Sequence, residues 1–138
     1  MRSGLTTVYH GLAVLMAVGV VVQFFLAGLG IFGAESFDAH EGLGWSLHTA
    51  SMALFLLALL GPRTGRTIVM ALALLVLLTV QVLLPGVRDD APGLAALHPV
   101  LALAVLGLTV HIGMPLLSRR GAASAPRSAR SGRPASPP

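Results

Sequence analysis

Histidine is the side chain with the widest chemical reach in this sequence, because it titrates near neutrality, hydrogen-bonds at two nitrogens and ligates metals. Five occur, at positions 10, 40, 48, 98 and 111. Two of them share a spacing: His40 follows Gln23 by 17 residues, and His98 follows Gln81 by the same 17. Two imidazoles carried on separate helices can supply the two axial ligands of a b-type haem. The remaining nitrogen of each ring then needs an acceptor, for which Gln23, Gln81, Asp38 or a backbone carbonyl is at hand. Arg88 could pair with a haem propionate. His40 and His98 are therefore the candidate metal ligands, with Gln23, Gln81 and His48 as further cofactor-binding residues. The same cluster could instead take a quinone or small lipid, or hold helices together and meet a partner subunit. His48 is turned about 80° from His40 on a helix, among Trp45, Thr49 and Ser51. His10 and His111 have no counterpart in the pattern and are expected to be structural.

Other chemistries lack their parts. The chain has no cysteine, so thiolate metal sites, cysteine nucleophiles and thioether-linked haem are excluded. No acid falls inside an apolar stretch, which removes a carboxylate relay for protons or cations. Ser46 and Ser51 stand in nothing like a nucleophile elbow. A zinc site from His40, His48 and an acid lacks the i, i+4 spacing that points two histidines the same way. No catalytic residue is assigned.

What must position these residues is a set of membrane-spanning helices. Of the 138 residues, 55% are hydrophobic and only 10% charged, against about 25% charged in an ordinary soluble domain. Charge-free runs cover 5–34, 42–62, 67–87 and 91–118, and a run of about 18 or more apolar residues is long enough to cross a bilayer as helix. Four spans are predicted, at about 7–32, 43–60, 67–84 and 99–117, forming one all-α domain over 1–118. Four segments cannot close a barrel, so helix is the only spanning structure open to them. Asp38 with Glu41 reads as a capping box at the second helix start. Gly61 with Pro62, and Pro85 with Gly86, read as helix ends, and 91–97 as a short interfacial turn or helix.

An internal repeat at an offset of 58 organises the polar residues: Gln23, Gly28 and His40 align with Gln81, Gly86 and His98. Two helices per repeat give halves related by an axis along the membrane normal. His40, Gly44, Leu47 and Ser51 then share one helix stripe, as do His98, Ala102, Val105 and Thr109. The small residue below each histidine leaves room for a helix or a flat ligand, or simply serves helix packing.

If the spans alternate, eight of the nine Arg fall on one side, with Arg88 alone on the other. The positive-inside rule then puts both termini in the cytoplasm of a bacterial inner membrane. The first span is longer than the apolar core of a signal peptide and is interrupted by Gln23, so it is expected to stay uncleaved. Residues 119–138, rich in Arg, Ser, Ala, Gly and Pro, are expected to form a disordered basic tail. With no folded basic surface and no stacking aromatic, no nucleic-acid partner is expected. The lipid bilayer is the expected partner, with a membrane-protein or redox partner beside it.

The stretches VVVQFFLAGLGIF (20–32), FDAHEGLGWSLH (37–48) and LHPVLAL (97–103) resemble an uncharacterised family of small bacterial four-helix membrane proteins, known only as a domain of unknown function. The resemblance spans about Tyr9 to Leu117 and implies the four-helix fold without an activity. The paired histidines are also distantly similar in layout to haem-carrying membrane bundles such as haem A synthase and b-type cytochromes, a likeness of fold that does not carry function by itself.

Overall fold

The computed structural model describes the backbone of residues 2–61 and 64–124, and the side chains of 4–61 and 64–118. Helix α1 spans Arg2–Ile31, α2 Asp38–Leu60 and α3 Gly65–Leu83. A single 3₁₀ turn at Leu84–Val87 leads to the short α4, Pro92–Ala95, and the long α5, His98–Ser124. No strand occurs among the described residues. Four segments are long and apolar enough to cross a membrane: Gly4–Ile31, Asp38–Leu60, Gly65–Val87 and Pro92–Ser118.

The helices outrun the charge-free stretches at several ends. Helix α2 begins at Asp38, five residues before the expected bound, because Asp38 and Glu41 sit in its first turn, where acidic side chains favour the positive end of the helix dipole. The expected capping box does not form. The residue preceding the helix is Phe37, and no side chain caps it. Asp38 is instead engaged by Ser36, whose hydroxyl donates to Asp38 Oδ2 at 2.8 Å. Gly61 ends α2 as expected, its N–H bonding to Leu57 O at 2.8 Å. Helix α5 continues to Ser124, so the part of the predicted tail at 125–138 lies outside the described residues.

The four long helices form a ring, α1 against α2, α2 against α3, α3 against α5 and α5 against α1. Loop 32–37 and the stretch 84–97 lie at one end, which carries all five acids and is called the acidic end below. Gly61 at the end of α2, Thr64 before α3 and the outer termini of α1 and α5 lie at the other.

Burial obeys the 58-residue repeat. On α1 and α3 the buried pairs are Ala13 with Ala71, Met16 with Leu74 and Val20 with Leu78. On α2 and α5 they are Leu47 with Val105, Ser51 with Thr109 and Leu54 with Ile112. Each half thus turns the same face to the core, the arrangement expected of two helix hairpins related by a two-fold axis along the bundle. The outward faces remain apolar, with Leu15, Phe25 and Val69 each about two-thirds exposed. An apolar exterior around a core of small and medium side chains is what a bilayer selects. Where helices approach closely, glycine makes the room: a Cβ on Gly113 of α5 would lie 2.7 Å from Val14 Cγ2 of α1, and one on Gly19 would lie 2.9 Å from Leu47 Cδ2.

Candidate functional site

At the acidic end the repeat brings its rare residues together. His40 is in the first turn of α2 and His98 opens α5, so the two stand on opposite helices of the ring. Their rings nonetheless meet, edge to face, with centroids 6.0 Å apart and planes at 61°. The pair closes a diagonal that the helix backbones leave open.

Each ring is oriented by the glutamine that precedes it. The Nδ1–H of His40 donates to the backbone carbonyl of Gln23 at 3.1 Å, and that of His98 to the carbonyl of Gln81 at 3.0 Å. A carbonyl only accepts, so the proton of each neutral ring sits on Nδ1 and Nε2 is left as a lone-pair donor to a metal or a hydrogen. The partners are thus backbone carbonyls, neither the glutamine side chains nor Asp38. The 17-residue spacing has a plain geometric meaning: it carries the chain from the end of one helix, around the turn, to the ring that bonds back to it.

The side-chain amides of the glutamines point into the bundle. Gln81 is 7% exposed, and the Oε1 atoms of both Gln23 and Gln81 are buried without a hydrogen-bond partner. Buried acceptors are ordinarily satisfied, and these two occupy equivalent positions in the two halves. Gly44 provides the space on its side: a Cβ there would come within 3.1 Å of Gln23 Nε2.

The loop between α1 and α2 fixes His40 further. Gly33 adopts φ +71°, a left-handed conformation that favours glycine, and turns the chain so that the Phe37 ring lies on Gly30, 2.7 Å from where a Cβ would stand. Phe37 then meets His40 edge-on, with centroids 6.2 Å apart. Arg88 is exposed and lies 3.6 Å from Asp89 at its Nε.

The other histidines lie apart from this cluster. His48 Nε2 is 3.1 Å from Thr79 Oγ1 on α3, with Trp45 edge-on to its ring at 5.9 Å. His10 donates from Nδ1 to the Ile112 carbonyl at 2.6 Å, joining α1 to α5. Pro115, which has no N–H to give the helix, lies inside α5 three residues beyond Ile112. His111 is exposed, and its Nε2 accepts from Arg66 at 3.0 Å; it lies level with the start of α3, not deep in the bundle. Thr79 and Arg66 are partners that the sequence pattern does not single out, although Thr79 is the lone hydroxyl in the interior of α3.

The site therefore offers two imidazole ligands and two amide acceptors inside a four-helix bundle of membrane-compatible helices. Among the described residues no group of three or more His, Cys, Asp or Glu side chains comes together to hold a metal ion, so any metal here would need ligands beyond the two histidines. These features define an uncharacterised class of apolar four-helix bundle. A domain described as a family of unknown function (DUF6220) is found over residues 23–87, from the first glutamine of the site to the end of the third span. No curated protein and no solved structure matches the chain.

Proposed function

We propose that the protein is a multi-pass membrane electron carrier that holds one b-type haem between His40 and His98. The observation that carries this reading is the pair of imidazoles brought together edge to face from two helices, each ring bonded through Nδ1 to a backbone carbonyl. With ring centres 6.0 Å apart, His40 and His98 are the two residues that would hold the group. A haem brings the four further ligands that the chain does not supply, so the donor set fits it better than a bare ion.

In this reading His40 and His98 hold the group, and the Gln23 and Gln81 carbonyls keep both rings in the ligating tautomer. Leu47 and Val105, buried further in along the same stripes, exclude water from below. When bound, haem supplies a one-electron couple, and a membrane or soluble redox partner would exchange the electron at the acidic end. Purified from cells with ample haem, the protein should show a Soret band that is lost in both His40→Ala and His98→Ala. A colourless, well-folded protein that takes up no added haem would sink the reading.

The ring contact itself favours a second reading. The histidines already touch, so the cluster could serve a non-catalytic membrane subunit by closing the bundle end and meeting a partner. The histidine variants would then lose stability and not colour.

We place the protein in a bacterial inner membrane with both termini cytoplasmic, on the strength of the Arg distribution. Reporter fusions at Gly65 and Asp90 should read cytoplasmic and external respectively; two reporters on one side would refute four alternating spans.

A further inference from the structure

We propose that the α2–α3 face carries a second site, at which His48 and Trp45 bind a phenolic hydroxyl from the lipid phase, a hydroquinone being the chemical class that fits. The hydroxyl of Thr79 donates to Leu75 O at 2.8 Å. In its 3.1 Å contact with His48 Nε2 it therefore accepts. This puts the ring proton of His48 on Nε2 and leaves Nδ1 an acceptor, for which the described residues supply no hydrogen-bond partner. His48 lies eight residues past His40 on α2, about 12 Å deeper at 1.5 Å per residue, where the hydrocarbon supplies no water to satisfy it. Beside it the Trp45 ring stands at 90° to the imidazole and is 49% exposed on the outer face of the bundle.

The internal repeat supplies its own control. At an offset of 58, Leu106 occupies the place of His48, Val21 that of Thr79 and Leu103 that of Trp45. Leu106 and Val21 line an apolar groove between α5 and α1. Two helices of this bundle thus pack at the same depth with no polar side chain, and helix packing does not demand the polar trio on α2 and α3.

The chemistry narrows the ligand. An acceptor at this depth needs an O–H or N–H donor, and the depth favours uncharged, lipid-soluble carriers of one over ions and headgroups. An exposed indole beside the acceptor favours a flat aromatic ring. A hydroquinone with an alkyl or isoprenoid chain meets all three conditions, with one hydroxyl donated to Nδ1. This second site is independent of haem between His40 and His98.

Trp45 is the single tryptophan of the chain and reports directly on the site. In phosphatidylcholine nanodiscs, a short-chain alkyl hydroquinone should change Trp45 emission saturably. Its dimethyl ether, with the same ring and chain but no donor, should bind about tenfold more weakly, the equivalent of one hydrogen bond. His48→Leu, which copies the leucine that the repeat places at Leu106, should abolish the difference, while His40→Ala should leave it intact whether or not the protein binds haem. Equal responses to hydroquinone and ether in the unaltered protein would overturn the proposal without any variant, as would an undiminished difference in His48→Leu.

Discussion

At the scale of single residues, the place of each histidine's acceptor separates site from scaffold. His40 and His98 each donate Nδ1–H to a carbonyl 17 residues back in the same hairpin and meet each other, whereas His10 donates its Nδ1–H to Ile112 O and so ties α1 to its neighbour α5. His10→Ala should therefore lower stability by about 1 kcal/mol, the scale of one interhelical hydrogen bond in a membrane protein. Unfolding in mixed detergent would read this, and haem uptake should be unaffected; a change in uptake with stability intact would assign His10 to the site instead. The pairing of His40 with His98 is legible in the sequence because Gln and His are rare and their spacing recurs. The acceptors are not, since every residue carries a carbonyl and only the fold decides which one a ring meets. Asp38 departs from its expected role for a related reason: Ser36, two residues earlier, competes for its carboxylate.

At the scale of elements, the spans follow from the length of apolar chain needed to cross a bilayer. Their ends do not, because absence of charge marks where a helix sits in lipid and not where it stops. Helix α2 accepts Asp38 and Glu41 in its first turn. What the sequence conceals altogether is which glycines hold helices close. Gly19 and Gly113 both stand at interfaces, but the neighbours differ in their freedom to move. A methyl at Gly19 meets the end of the Leu47 side chain, while one at Gly113 meets the β-branched Val14 at 2.7 Å and its backbone at 3.4 Å. Gly113→Ala should thus destabilise the α1–α5 contact by about 1–3 kcal/mol, and Gly19→Ala by less. Thermal unfolding of the two variants in detergent would check the order; equal losses would show that α1 shifts freely against α5.

At the scale of the whole molecule, the 58-residue repeat governs core, turn and site alike. Six pairs of equivalent core positions are buried in both hairpins, and the same glutamine-to-histidine bond recurs at both turns. A site on the axis of such a bundle receives one equivalent ligand from each half, which is why a group bound between His40 and His98 should be held by two like imidazoles. The halves differ where His48, Thr79 and Trp45 replace an apolar set, and that difference gives the bundle a distinct face toward lipid. Haem ligation by the histidine pair is tested most directly by electron paramagnetic resonance of the ferric protein after purification with haem supplied. Two axial imidazoles on the iron should give a low-spin signal, converted to high spin or lost when either His40 or His98 is changed to Ala. Haem-free protein that remains folded, or a low-spin signal that survives both substitutions, would contradict ligation by this pair.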